Sequence, residues 1–375
     1  MIDSQRVLII GGGFSGLAAA IMLAKAGHVV DLIERSPHWT MDGAGISIGG
    51  PSLRALGRIG VLDAFFDHGA GGDDQSVRTP DGREIGRFRT PRIAASDRPG
   101  TGAIMRPVLG QILVDEMLAS GATARLGTTV SGLVDDGNAV DVTFSDGSIG
   151  RFDVVVGADG LASSTRAQLF PDAPKPEFSG QGAWRAIVPR PPEITSTVIW
   201  VGAPAKVGVN PISADEMYVF VNEAKATNDR VGDDELLPRL RGLLDPLTDP
   251  VMAGVKAALD EDSLVLYRPM DNLLLPLPWH RGRVVLIGDA AHATTPHLAA
   301  GAGLGLEDAI VLAEELDARD SVDAAMTAFE QRRFERCRMV VENSARLGVL
   351  ESERGRQDEF VALQADSYRL LAEPV

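Results

Sequence analysis

Bare glycines and single carboxylates fall at three places in this chain where an apolar run gives way to a loop. The first is Gly11-Gly12-Gly13-Phe14-Ser15-Gly16, which follows Arg6 to Ile10 and opens a helical stretch reaching about Gly27. Gly11, Gly13 and Gly16 keep the spacing G-x-G-x-x-G, and a second apolar run, Val29 to Ile33, ends in Glu34-Arg35. A strand, helix and strand in that order suit a nucleotide. Gly13 admits the backbone to a pyrophosphate, Gly16 lets the helix pack close, and an acid about 20 residues on accepts from a ribose. The second place is Phe152 to Gly160, ending in Gly157-Ala158-Asp159-Gly160. The third is Arg283 to Ala309, where Val284 to Ile287 stops at Gly288-Asp289 and a helix starts around Gly301 to Gly303. A carboxylate at a strand's carboxyl end and open N–H groups at a helix start bind polyols and anions. A ligand that uses the first and third places is long, and it draws the two ends of the chain together.

The elements between these places predict an α/β fold. Leu53 to Phe66 and Pro107 to Ser120 have helical spacing, and Asp73 to Arg89 has the pattern of a hairpin with Asp81-Gly82 at its turn. Strands are expected over Leu126 to Phe144. From about Pro174 to Pro278 prolines become frequent and short β-type runs appear, such as Thr197 to Val201 and Met217 to Val221. The expected organisation is a discontinuous Rossmann-like domain (1–72, 100–175 and 280–350), an inserted mixed β-sheet domain (73–99 and 176–279) and a helical C-terminal tail (351–375). The Arg- and Glu-rich stretch from Val322 to about Leu371 reads as helix with a solvated charged face.

Composition narrows the partners. Among 375 residues, 45% are hydrophobic and 23% charged, the balance of an ordinary globular protein. A formal charge of −16 argues against a nucleic-acid binder and against adhesion to anionic lipid. Cys337 is the only cysteine, which rules out an internal disulfide and a thiolate metal cluster and fits a reducing cytoplasm. No apolar run approaches the roughly 20 residues of a membrane span. The expectation is a cytoplasmic monomer or homodimer.

Two motifs invite other chemistry. Gly45-Ile46-Ser47-Ile48-Gly49 spells G-x-S-x-G, but a nucleophile elbow needs a strand before it, and Trp39 to Ala44 is not strand-like. His292 and His297 are five residues apart, which is not metal spacing, and no acidic or cysteine partner is evident in the sequence; no metal is expected. His280, between Trp279 and Arg281, reads as surface, and Cys337 as a buried structural thiol.

Taken together, GGGFSG with Glu34, GADG followed by Ser163 and Arg166, and GDAAH before a glycine-rich helix start resemble the class A flavoprotein monooxygenases. These are the family of para-hydroxybenzoate, salicylate and urate hydroxylases. The resemblance covers nearly the whole chain. It implies bound FAD, with Gly11, Gly13 and Gly16 at the pyrophosphate, Glu34 at the adenosine ribose, and Arg35 and Val130 on the adenine side. It places Arg106 on FAD and Asp159 in a motif that serves both FAD and NAD(P)H. Asp289 would lie on the ribityl chain, and Gly301, Ala302 and Gly303 near the flavin pyrimidine ring. Where the family often has Gln and Asn, this chain has Ala302 and Gly305, which favours the salicylate/urate side.

The implied reaction uses transient NADH or NADPH and O₂ to hydroxylate a small aromatic or N-heteroaromatic substrate through a flavin hydroperoxide. His297, after Pro296 in the loop over the flavin, is the general-base candidate, with Lys206 as the other group able to favour an ionised substrate. Ser47, Trp184, Tyr218 and Pro296 are the expected substrate contacts. Flavin-dependent reductases and halogenases share the fold, although a W-x-W-x-I-P segment is absent from the sequence. A non-catalytic flavoprotein would carry the same motifs.

Overall fold

The computed structural model describes residues 3–39, 41–202, 204–353 and 355–375. Its central sheet has six strands, in the order His280–Arg281, Val284–Leu286, Val154–Gly157, Arg6–Ile10, Val29–Glu34 and Thr123–Leu126. All neighbours are parallel except the first pair. Parallel strands buried on both faces need continuous apolar runs, and Val7 to Ile9 and Val154 to Val156 supply them with no exposed surface. Val7, Ile9, Val154 and Val156 pack against the helices Phe14–Lys25 and Gly301–Ala318, whereas Leu8, Ile10 and Val155 face a three-stranded antiparallel sheet. With Val154–Gly157 between Arg6–Ile10 and Val284–Leu286, all three glycine loops leave the sheet side by side at its carboxyl edge.

The second sheet has seven strands: Val265–Asn272, Glu177–Pro189, Glu216–Ala224, Lys206–Pro211, Thr197–Trp200, Asp74–Arg78 and Glu84–Arg89. It is mixed, because Thr197–Trp200 runs parallel to Asp74–Arg78 while the other pairs are antiparallel. Side chains alternate between its faces. One face buries Trp184, Ala186, Trp200, Val207, Val219 and Val221 against the helices Asp233–Leu244 and Pro250–Ala258. The other looks into a cavity.

Three expectations need correcting. The helix expected over Leu53 to Phe66 breaks at Gly60 into Gly50–Ile59 and Leu62–His68. His280 is not simply surface. Its Nδ1 lies 2.7 Å from Glu330 Oε1, and that hydrogen bond raises the imidazole above its ordinary value. The charged tail is not merely a solvated face, and it does not stand apart. Arg333, fully buried in the helix Val322–Ser352, donates to Asp308 at 2.7 Å, to Glu307 at 3.0 Å and to the Leu304 carbonyl at 3.1 Å. The last helix, Gln357–Ala372, folds back so that Arg54 Nη1 donates to the Ala372 carbonyl at 2.7 Å. Composition gives the number of arginines in such a helix; the preceding helix, with Glu307 and Asp308, decides which one is drawn inside.

Candidate active site

The first glycine loop is shaped by close approach. Gly11 has φ +109°, and a Cβ on it would lie 2.5 Å from the Ala158 carbonyl oxygen. A Cβ on Gly16 would lie 1.9 Å from the Gly11 oxygen. At Gly13 nothing stands within 4 Å of the Cβ position, and that open side lines the cavity. No side chain caps the helix that begins at Phe14. Its first N–H groups are therefore available to an anion.

Beside this loop, Glu34 accepts from Gly12 N and Ser36 N, each at 2.8 Å, so its carboxylate also fixes the loop. Arg35 is exposed next to it. Thr128 N donates to the Glu34 carbonyl at 2.9 Å, which brings the chain entering Val130 alongside, while Val130 itself packs in the core. Asp159 departs from expectation. Its carboxylate accepts from Thr165 N at 2.9 Å and Thr165 Oγ1 at 3.0 Å, holding the start of its own following helix. Ala158 and Gly160 line the cavity, and Asp159 between them does not.

Asp289 is open to the cavity and has no hydrogen-bond partner among the described residues. Protein surrounds that part of the cavity. Burial pushes its carboxyl above the usual range, against the opposing pull of His292 and Arg106. The Arg106 guanidinium sits 5.0 Å from the Phe14 ring centroid and is pulled down from its ordinary value by burial, with Asp289 opposing. The helix Gly301–Ala318 also starts without a side-chain cap, and Gly301 and Ala302 line the cavity. Gly303 faces the other way: a Cβ there would lie 1.8 Å from Ser52 Oγ. Gly305, at the family's Asn position, lies against Ser15, where a Cβ would come within 1.9 Å of Oγ. Two uncapped helix starts and an unpaired carboxylate on one wall match a pyrophosphate, a flavin ring and a polyhydroxyl linker. The residues present fit FAD.

On the sheet side of the cavity, Asn210 Nδ2 donates to Ser47 Oγ at 2.7 Å and to Tyr218 Oη at 3.1 Å, and Ser47 and Tyr218 hydrogen-bond each other. Ser47 lies within the strand Gly45–Ile48, opposite Ala103, and not on an elbow. Pro296 also lines the cavity. Trp184 does not. It is 1% exposed on the opposite face, with Nε1 donating to Glu223 at 2.9 Å. The expectation missed by one residue of strand parity, and Arg185 faces the cavity in its place. Its guanidinium donates to the Trp184 carbonyl at 2.7 Å, lies 5.7 Å from the Phe220 ring centroid, and has no salt bridge among the described residues.

His297 and Lys206 converge on a residue that sequence reasoning overlooked. Glu351 Oε2 lies 2.9 Å from His297 Nε2, and Oε1 lies 3.4 Å from Lys206 Nζ. These are ion-pair separations without aligned hydrogen bonds, and both carboxylate oxygens are buried between Lys206 and His297. Burial alone would raise the Glu351 carboxyl, but the Lys206 charge and His297 outweigh it and hold it below the usual range. His297 Nδ1 is 2.9 Å from Thr295 Oγ1, and its buried Nε2 faces Glu351, so neither ring nitrogen is turned to the open cavity. The imidazole buttresses Glu351 more directly than it faces a substrate. The available clue was Gly348, one turn before Glu351 in mid-helix. A Cβ there would lie 3.0 Å from His297 Cε1.

His292 does gain the acidic and cysteine neighbours that the sequence left unseen, Asp308 and Cys337, with possible ligand atoms within 4.8 Å of one another. A guanidinium already serves them: Arg333 donates to Asp308 at 2.7 Å and lies 3.6 Å from Cys337 Sγ. Burial opposes charge on His292, but Cys337 and Asp308 outweigh it and hold the imidazole well above its ordinary value.

Gly13, Asp289 and Gly301 on one side and Ser47, Arg185 and Tyr218 on the other border one cavity of ≈ 1880 Å³, walled along one side by the helix Gln357–Ala372 through Phe360, Val361 and Tyr368. The profile of the FAD binding domain family matches residues 4–344. The chain is 32% identical over 365 residues to the aurachin C monooxygenase/isomerase of Stigmatella aurantiaca, covering 93% of this chain and 90% of that protein. It is also 32% identical over 355 residues to the 2-heptyl-3-hydroxy-4(1H)-quinolone synthase of Pseudomonas aeruginosa, covering 93% and 91%. Its fold matches the crystal structure of Klebsiella pneumoniae HpxO with FAD and uric acid at a TM-score of 0.85 and 23% identity, over 98% of this chain and 94% of that one. The glycine cradle, the unpaired Asp289 and these matches lead to one assignment: the chain belongs to the FAD binding domain family and is an FAD-dependent monooxygenase.

Proposed function

We propose that the protein hydroxylates a small aromatic or N-heteroaromatic compound with NAD(P)H and O₂, in the cavity between the two sheets. The observation that carries this reading is that the cavity is continuous from Asp289 and Gly301 to Arg185, Lys206 and Tyr218. A cofactor and a second small molecule thus share one chamber. Two relatives point to the heteroaromatic class, since one is named for a quinolone and another for urate. Bound FAD, reduced by NAD(P)H, supplies the O₂ activation.

The chain's own residues supply orientation, charge and dryness. Asp289 and the two helix starts hold the cofactor. Arg185 and Lys206 put positive charge beside an ionising ring oxygen or nitrogen, and Glu351, kept ionised, holds the Lys206 ammonium in place. His297 fixes the Glu351 carboxylate from behind. The Ser47–Asn210–Tyr218 cluster gives the ring's polar edge a hydrogen-bonding wall, and the last helix screens the chamber from water. The test is NADH and NADPH oxidation by the flavin-loaded protein across phenols, hydroxybenzoates and N-heterocycles. H₂O₂ and ¹⁸O incorporation are measured in parallel. A labelled hydroxyl on at least one ring is expected; peroxide alone with every compound would overturn the proposal.

A further inference from the structure

The cavity face of the seven-stranded sheet is ordered in cross-strand rows. One row is polar: Asn210 stands opposite Tyr218, and Thr197 hydrogen-bonds Asn210 from the next strand. The row beside it changes character along its length. From Leu266 on the edge strand it passes to Arg185, opposite Phe220, and continues through Gly208, Ile199, Val77 and Gly86 on successive strands. After Arg185 no side chain in this row can ionise or hydrogen-bond. Gly208 leaves room for the Phe220 ring, which a Cβ would meet at 2.1 Å. Phe220, Ile199, Val77 and Gly86 all line the cavity. Strands lie about 4.8 Å apart, so the four steps from Phe220 to Gly86 extend roughly 19 Å. That is far longer than one aromatic ring. At the far end, Ile85 and Phe88 are 51% and 55% exposed and line the same cavity.

A charge at one end of an uninterrupted apolar strip is the complement of a molecule with a polar head and a hydrocarbon chain. We propose that the substrate is an aromatic or heteroaromatic ring bearing an aliphatic chain. Its ring oxygen or nitrogen sits at Arg185, and its chain lies along Phe220, Ile199 and Val77. This rests on the reading of the cavity as a hydroxylation site and adds the class of compound that fills it.

The experiment is calorimetric titration of the flavin-loaded protein with phenol, propylphenol and heptylphenol, alongside heptanol as a chain without a ring. Burying each methylene is worth about 0.8 kcal/mol, so Kd is expected to fall about threefold to fourfold per carbon. In Ile199→Asn that dependence is expected to flatten to less than twofold per carbon, and Val77→Trp, which blocks the strip without adding polarity, gives a second reading if the first variant folds poorly. Equal affinity for phenol and heptylphenol would overturn the proposal, as would heptanol binding as tightly as heptylphenol, because the strip would then be a separate lipid site. The two readings fail differently. If heptylphenol binds tightly but no ring tested acquires labelled oxygen, the hydroxylase reading falls. If phenol is hydroxylated and the chain adds nothing, only the chain subsite falls.

Discussion

His297 Nε2 lies 2.9 Å from Glu351 Oε2, while its Nδ1 lies 2.9 Å from Thr295 Oγ1, so the imidazole is held along both edges. A histidine fixed in this way positions a carboxylate instead of sampling the cavity itself. The pair joins a short 3₁₀ turn that follows Asp289 to the end of the long Val322–Ser352 helix.

Glu351→Gln keeps the shape of the side chain and removes its charge. Loss of the charge that holds Lys206 and His297 is expected to lower substrate-stimulated turnover roughly tenfold with FAD retained. Glu351→Asp is expected to recover part of it. The folded carboxyl lies below its ordinary value, so its contribution to stability is complete above about pH 4.3 and is lost as pH falls through the lower folded value. Thermal melts of wild type and Glu351→Gln should therefore converge on acidification. Turnover within twofold of wild type would show that Glu351 does not position Lys206 for the reaction.

Asp289→Ala is expected to bind FAD at least tenfold more weakly, because the only carboxylate of the three glycine loops that lines the cavity is lost. Flavin absorbance after desalting gives the occupancy. A stoichiometrically yellow variant would count against the assignment.

Much of the cofactor wall was legible in the sequence because its signals are local. A glycine spacing, a strand's terminal acid and a helix start each lie within a few residues of one another, and Gly11, Gly13, Glu34 and Asp289 needed no knowledge of distant packing. The substrate wall was not local. Trp184 and Arg185 are adjacent, and only the register of a sheet built from 74–89 and 177–272 decides which one faces inward. Glu351 was harder still. It lies in a charge-rich helix where most acidic residues are solvated, and what singles it out is contact with residues more than 50 and more than 140 positions away. Asp159 shows the converse. Its motif is evident in the sequence, but its carboxylate serves the helix that follows it.

Arg333→Leu removes a fully buried cation shared by Asp308 and Glu307, leaving Asp308 to His292 and Glu307 to Arg336. Breaking such a pair costs about 3–5 kcal/mol, so the urea midpoint should fall substantially with little change in slope. A midpoint near that of wild type would show that the surrounding helices can resolvate those carboxylates.

Gly348→Ala separates packing from helix propensity. Alanine favours a helix interior by about 1 kcal/mol, yet its Cβ would press on His297 Cε1 and Gln181 Oε1, both at 3.0 Å. The expected outcome is a melting temperature within a few degrees of wild type and turnover reduced about tenfold, since small displacements of positioning groups are costly. Unchanged turnover would show that the His297 loop yields freely.

Arg54, which bonds the Ala372 carbonyl, ties an early helix to the end of the last one, and that last helix walls the chamber. Gly13 near one end of the chain and Phe360 near the other line the same chamber, so it is complete only when the last helix has docked. A chain stalled before Glu351 would present flavin without the wall that keeps its chemistry from water.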